Sequence, residues 1–331
     1  MRPMMRKIKI PVIAALSAFV IFSCAREKEE GANDIQKRIL DAYIAEYYPS
    51  ATVMPSGLVY LSRTEGAGDA VEKYQGVYVE YSTKTLGGIY TATNEEYQAK
   101  VLGIYSKSNY YGPKLYEIGF GTTYLGVEEM LTGMKKGGEA TAIVPPWLTS
   151  TGYGSTSQGS SVNMIYNFKV TAVIKDIVKF QLDSMAAYAK LHYPGLDTTS
   201  YGYYFKNLYE SDKDTIDKDA SVDIRYIGRL LDGFIFDTNI ADSAKKYGIY
   251  DSSKEYAALS ITLAEDVNTM KENSGMILGF CKAVKDIKRY EDKAFTMFYS
   301  ELGYSGQGSG QIGPYQPLIF TMYVEPKKAD N

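Results

Sequence analysis

Two stretches of this 331-residue chain repeat one another at a fixed spacing, and that repetition constrains the fold more than any single motif does. From Asn33 or Asp34, either of which can cap a helix, Ile35, Ile39, Leu40, Tyr43, Ile44 and Tyr47 fall on one helical face that ends at Tyr48-Pro49. From about Ile177, Val178, Leu182, Met185 and Ala189 do the same, and that pattern stops at Tyr193-Pro194. Ser56-Gly57-Leu58-Val59-Tyr60 after the first helix then matches Tyr201-Gly202-Tyr203-Tyr204-Phe205 after the second. Pro49 and Pro194, Gly57 and Gly202, Tyr81 and Tyr226, and Gly88 and Gly233 are all 145 residues apart. The correspondence continues at 153 for Gly126 and Gly279 and at 151 for Tyr153 and Tyr304. One offset held across helix, strand and turn predicts a tandem duplication with its boundary near residue 176.

Within each copy the sharpest local signal is a hairpin. In Val222 to Asp237, VDIRYIGRLLDGFIFD, Val222, Ile224 and Tyr226 alternate with Asp223 and Arg225, the period-two pattern of a half-buried strand. Asp232-Gly233 supplies the turn, and Phe234, Ile235 and Phe236 run apolar up to Asp237. The counterpart in copy one, VYVEYSTKTLGGIYTA, keeps the Tyr and the turn Gly and has no carboxylate at the end.

The start of the chain predicts a destination. Arg2, Arg6, Lys7 and Lys9 precede an apolar run from Ile10 to Phe22, the pattern of a secretory signal peptide over residues 1–23. The run ends at Ser23-Cys24, similar to a bacterial lipobox, so Cys24 is the expected lipidation site; an ordinary signal peptide with an incidental Cys is the alternative. Residues 24–32 are polar and read as a solvated tether; their acidic run also resembles the surface-export signal of some Gram-negative lipoproteins. The expectation is a protein lipid-anchored to the outer membrane of a Gram-negative bacterium, at its periplasmic face or at the cell surface. Cys281 is the only other Cys, which leaves no intramolecular disulfide once Cys24 is lipidated.

Composition removes some function classes. With 36 basic and 39 acidic residues the net charge is −3, so bulk electrostatics gives no attraction to nucleic acid. The 31 Tyr suit strands and half-wet surfaces, or alternatively the walls of a groove for peptide or sugar. The single His, His192, stands at the end of a helix, where a C-terminal cap is the default role, and no Cys/His cluster suggests a metal site. Gly303 to Gly313, GYSGQGSGQIG, lacks the Lys-Ser/Thr of a phosphate loop and reads as a mobile flap. Asp212 and Asp214 read as solvated.

A strand bearing a Tyr, a Gly hairpin ending Phe-Asp, a later short helix, a Tyr-Gly loop and a closing apolar strand together resemble the FKBP-type peptidyl-prolyl isomerases. The resemblance covers most of 56–176 and 201–325. In copy two, Tyr226, Phe236 and Asp237 match the family's pocket Tyr and Phe-Asp pair. Met276-Ile277-Leu278-Gly279-Phe280 matches the entry to the pocket-floor helix, with Phe280 where the family usually has Trp. Tyr304, Ile312 and Phe320 match the flap and last-strand positions. Copy one resembles the family elsewhere, in Gly133-Met134-Lys135-Lys136-Gly137-Gly138-Glu139 and in Val144-Pro145-Pro146-Trp147. Its pocket counterparts are Tyr81, Tyr90, Tyr153 and Tyr166, with Val127 in place of the floor aromatic. Copy two departs at Asp286 to Tyr290 and is expected to carry a longer insertion over residues 238–273.

The resemblance implies an α+β protein of two FKBP-like domains, residues 33–176 and 177–331, each a curled antiparallel sheet over a short helix and each preceded by a longer helix. It implies a peptidyl-prolyl isomerase and folding factor, without cofactor or metal, whose partners are proline-containing unfolded or extracytoplasmic polypeptides. Tyr226, Phe236, Asp237, Ile277, Phe280, Tyr304, Ile312 and Phe320 are the residues it assigns to the site. A non-catalytic chaperone, or a module binding peptide or glycan, is the alternative. Taken singly, Phe236, Phe280 and Phe320 are ordinary core, Asp237 a turn former or helix cap, and Tyr304 and Tyr153 surface residues in Gly-rich loops. Their joint order and spacing in copy two is what favours a pocket.

Overall fold

A computed structural model describes residues 30–151 and 159–327. The signal peptide, Cys24, most of the tether and Tyr153 lie outside the described residues. Copy one runs α1 (Ala32–Tyr47), β1 (Thr52–Val53), β2 (Val59–Ala70), β3 (Gly76–Thr85), β4 (Tyr90–Thr93), α2 (Glu96–Val101), β5 (Lys114–Glu117), α3 (Leu125–Leu131), β6 (Lys135–Val144) and β7 (Met164–Ile174). Copy two runs α4 (Ile177–His192), β8 (Tyr203–Tyr209), β9 (Ser221–Arg229), β10 (Ile235–Thr238), α5 (Ala241–Tyr247), β11 (Leu259–Thr262), α6 (Val267–Ser274), α7 (Leu278–Asp286), β12 (Lys293–Phe298) and β13 (Leu318–Val324).

The repeat seen in the sequence is present element by element. α1 and α4 have 16 residues each and begin 145 residues apart, and β3 and β9, β4 and β10, α2 and α5, and β5 and β11 begin at the same offset. The strand order is also shared: β2-β6-β7-β3-β4 in one sheet and β8-β12-β13-β9-β10 in the other, all neighbours antiparallel, with β5 and β11 pairing β3 and β9 off the main path. Copy one adds β1 at its edge.

Strand alternation gives each sheet two apolar faces, and a helix covers each of them. In copy two, Phe280, Cys281 and Val284 of α7 pack with Tyr203, Phe298, Leu318 and Phe320. On the opposite face Met185 and Ala189 of α4 meet Tyr204, Phe295, Met297 and Ile319. Copy one repeats this with Val127, Met130 and Leu131 of α3 on one side and Leu40 of α1 against Val59, Ile143 and Ile165 on the other. At about 1.5–3 kcal/mol per buried large apolar side chain, the long helices contribute substantially to each copy.

Three expectations are corrected. Helix α1 begins earlier than expected, with Gly31 at the N-cap position, so Asn33 and Asp34 sit inside its first turn, where Asp34 favours the helix N-terminus by charge instead of capping it. The apolar face of α1 is narrower in contact than in sequence: Leu40, Tyr43 and Ile44 pack, whereas Ile35, Ile39 and Tyr47 are 38%, 43% and 65% exposed. Residues 238–273 are not an insertion of copy two alone, because α5 and β11 have counterparts α2 and β5. Only α6, eight residues long, lacks one, and its length accounts for the rise in offset from 145 to 153.

The copies also touch. Tyr78 of β3 lies 5.7 Å from Phe180 of α4, and the loop from Tyr105 to Pro113 reaches the β9–β10 hairpin of copy two. Among the described residues, no helix is long and apolar enough to cross a membrane.

Candidate functional site

The hairpin of β9 and β10 builds one wall. Gly233 takes φ 93° in the turn, a conformation that favours glycine, and the Asp232 side chain accepts the Phe234 N–H at 3.0 Å. Ile235 pairs with Arg229 and Asp237 with Gly228, which leaves Phe236 as the extra residue of a bulge. A bulge breaks strict alternation, and here Phe236 and Asp237 line the same cavity although they are consecutive. Gly228 opposite them is required by space: a Cβ there would come within 2.6 Å of the Phe236 ring and 2.9 Å of Phe320.

All eight residues assigned to the copy-two site converge on one cavity of about 350 Å³, together with Met276 and Gln311. Phe320 of β13 is its hub, meeting Phe280, Phe236 and Tyr226 edge to face at 5.1, 5.6 and 5.9 Å. Tyr226 and Phe280 are themselves 5.3 Å apart and nearly perpendicular. Edge-to-face pairs of this kind add about 0.5–1.5 kcal/mol each beyond burial and fix ring orientation. Ile277 is the N-cap residue of α7, and its N–H has no acceptor among the described residues, as the first turn of a helix allows. Ile312 and Tyr304 come from the glycine-rich segment after β12, in which an isolated bridge joins Ser309 and Ile312.

One carboxylate stands in this aromatic setting. Asp237 Oδ2 accepts the Tyr226 hydroxyl at 2.6 Å, and Oδ1 accepts the ammonium of Lys254, which also donates to the Thr238 carbonyl at 3.0 Å. Burial, and then the hydrogen bond and charge of Asp237, hold the Tyr226 phenol far above its ordinary range. Burial raises Tyr304 as well, with the Asp237 charge adding to it. Both phenols therefore stay protonated donors at physiological pH.

A latch behind the wall fixes its register. Asn239 accepts the Tyr226 N–H at 2.9 Å and donates to the Ile224 carbonyl at 2.8 Å, while the Thr238 hydroxyl donates to the Tyr226 carbonyl at 2.6 Å. Copy one repeats every bond: Asn94 to Tyr81 and Val79, and Thr93 to Tyr81. The Lys, the Thr and the Asn all escaped the family pattern, yet Thr93-Asn94 and Thr238-Asn239 stand at the 145 offset and could have been found there.

Copy one keeps the frame and alters the contents. The same bulge places Thr91, not Tyr90, where copy two has Phe236. Tyr90 therefore corresponds to Ile235 and is not brought into a pocket position; its ring lies under the Lys84 ammonium instead. Ala92 and Asn109 occupy the places of Asp237 and Lys254, so both partners of the ion pair are absent. Tyr81, Tyr116 and Tyr166 surround Phe168 at 5.7–6.3 Å, and burial pushes the Tyr166 phenol up to about 12. Tyr124 stands at the N-cap of α3, the place Ile277 has in copy two.

No protein-family model and no curated protein matches the chain. Solved structures similar to it include a peptidyl-prolyl cis-trans isomerase from Pseudomonas syringae pv. tomato, 22% identical over 45% of this chain and 92% of that one, with a TM-score of 0.31. The three FKBP domains of wheat FKBP73 are 14% identical over 82% of this chain and 94% of that one, with a TM-score of 0.29. FkpA from Escherichia coli is 20% identical over 49% of this chain and 70% of that one, with a TM-score of 0.32.

Proposed function

We propose that copy two is an FKBP-type peptidyl-prolyl cis-trans isomerase site and that the protein is a folding factor for extracytoplasmic polypeptides. The observation that carries this reading is the convergence of five aromatic rings, two of them unionised phenols, and one paired carboxylate on a single 350 Å³ cavity. Rotation about an X-Pro bond is opposed by amide resonance, and the barrier of about 18–20 kcal/mol falls when the amide is desolvated and held twisted. Tyr226, Phe236, Phe280 and Phe320 grip the proline ring and exclude water. The Tyr304 hydroxyl and the Ile277 N–H donate to substrate carbonyls, favouring the twisted form over the planar one. Asp237, held between Tyr226 and Lys254, orients the wall and abstracts no proton.

The test is NMR exchange on a short X-Pro peptide with the wild type, Asp237→Ala and Tyr304→Phe. We expect acceleration by the wild type and a loss of about tenfold or more in each variant, Tyr304→Phe by removing a positioned donor and Asp237→Ala by removing the acceptor that holds Tyr226. A wild type no faster than the uncatalysed reaction would favour the non-catalytic chaperone reading.

For copy one, the joint replacement of Asp237 and Lys254 by Ala92 and Asn109 favours a non-catalytic, Tyr-lined binding role. The domain plan 33–176 and 177–331, and a lipid anchor on Cys24 at the outer membrane, belong to the same proposal. The basic, apolar and Ser23-Cys24 pattern supports the anchor, and metabolic labelling with palmitate, lost in Cys24→Ala, tests it.

A further inference from the structure

A second cavity, about 470 Å³, lies between the copies. Copy one supplies Tyr105 and Tyr111, stacked 5.4 Å apart, with Lys107 and Tyr110 beside them. Copy two supplies the hairpin from Asp232 to Ile235 and the end of α5 at Lys246 and Tyr247. Contacts across the copies bracket the groove. On one side the Tyr110 hydroxyl donates to Asp232 Oδ2 at 2.8 Å, and its ring lies 5.2 Å from Phe234. On another the Lys107 stem rests on Gly248, where a Cβ would come within 2.5 Å of it.

This groove adjoins the copy-two pocket. Phe234 and Ile235 line the groove, and the next two residues, Phe236 and Asp237, line the pocket. Gln311, also of the pocket, accepts the Tyr110 N–H at 2.7 Å. The charges facing the groove are unequally engaged. Glu96 is paired with Lys100, and Asp232 accepts from Tyr110 and from the Phe234 N–H. Lys107 and Lys246 pair with no carboxylate among the described residues.

We propose that the groove holds the polypeptide flanking the X-Pro bond seated in copy two, and that it selects segments bearing a carboxylate for Lys107 and Lys246 and an apolar or aromatic side chain for the tyrosine walls. This rests on the isomerase reading of the pocket and extends it to the substrate's sequence. A peptide confined to the pocket gains nothing from the groove, whereas a longer one gains both the ion pairs and the aromatic contacts.

The test uses the full chain and three fluorescent peptides: an X-Pro tetrapeptide, and two longer ones with roughly seven residues on each side of the X-Pro bond, a reach of about 23 Å when extended. One long peptide carries Glu in its flanks and the other Lys at the same positions. Anisotropy gives affinity and NMR exchange gives isomerisation. The acidic peptide should bind at least tenfold more tightly than its Lys counterpart at low salt, with the gap closing at high ionic strength. In Lys107→Met with Lys246→Met, which keeps the Lys107 stem on Gly248, the gap should vanish while tetrapeptide isomerisation is unchanged. Equal binding of the two long peptides by the wild type, or a gap that survives in the double variant, overturns the groove. If the tetrapeptide is not accelerated at all, the isomerase reading falls and the seating of an X-Pro bond falls with it. If it is accelerated and no gap exists, the groove alone is wrong.

Discussion

The copy-two wall depends on side chains whose partners are local and few. Asn239 satisfies the backbone of Ile224 and Tyr226 from a position 5% exposed, so Asn239→Ala should cost about 2–4 kcal/mol in urea unfolding, the penalty for orphaning two buried backbone groups. Asn94→Ala should cost a similar amount in copy one, where the same bonds recur. Lys254→Met should behave differently. Its ion pair with Asp237 is more than a third exposed on both sides, so we expect less than about 1 kcal/mol in stability but a several-fold drop in isomerisation with little change in tetrapeptide KM. At this scale the sequence spoke unevenly. Tyr226, Phe236 and Asp237 were legible from their match in order and spacing to the FKBP pattern, although the bulge at Phe236 breaks the alternation of the pleat. Lys254 was not, since it lies in a turn before β11, where no periodicity says which way a side chain points. Tyr90 stands at the 145 offset from Ile235 and Thr91 at that from Phe236, so the repeat itself, applied residue by residue, puts Thr91 and not Tyr90 at the pocket position.

Between residue and molecule stand the helices and the strands they press on. Gly126 and Gly279, the pair that continued the repeat at 153, both lie where a short helix crosses its sheet. A Cβ would meet Val144 at 2.6 Å in the first copy and the Phe298 ring at 2.5 Å in the second. Gly279→Ala and Gly126→Ala should each cost about 1–3 kcal/mol through overpacking, read as a lower urea midpoint. Gly228→Ala should act mainly on the pocket, displacing Phe236 and Phe320 and lowering isomerisation more than stability. The long helices were legible in existence and length, as α4 starting at Ile177 shows. Their buried strips were not, because a helix lying on a sheet touches it along a narrow line. Ile35 and Ile39 satisfy the amphipathic pattern without reaching the sheet.

The whole molecule should weaken in alkali. Burial pushes the Tyr78 and Tyr166 phenols up to about 12, whereas unfolded phenols ionise near 10. Between those values the unfolded chain has lost protons that the folded chain keeps, so stability is intact below about pH 10 and falls as pH rises towards 12. Urea midpoints at pH 9 and 11 should show the fall, and Tyr78→Phe with Tyr166→Phe should make it shallower without abolishing it, because Tyr110, Tyr116, Tyr203 and Tyr226 are also raised by burial. The duplication itself was the most legible property of the chain, because an offset needs no knowledge of contacts. The approach of the loop around Tyr110 to the second hairpin was illegible, since no repeat encodes how two copies of one unit meet.

The shared Thr-Asn latch has an engineering consequence. Because Thr93 and Asn94 hold the first hairpin in the register of the second, copy one is a prepared recipient for the charges it lacks. Grafting Ala92→Asp and Asn109→Lys together should yield a coupling of about 0.5–1 kcal/mol in a double-mutant cycle, with each single graft neutral or unfavourable. The difference between the two copies would then reduce, at this site, to two side chains on a shared backbone frame.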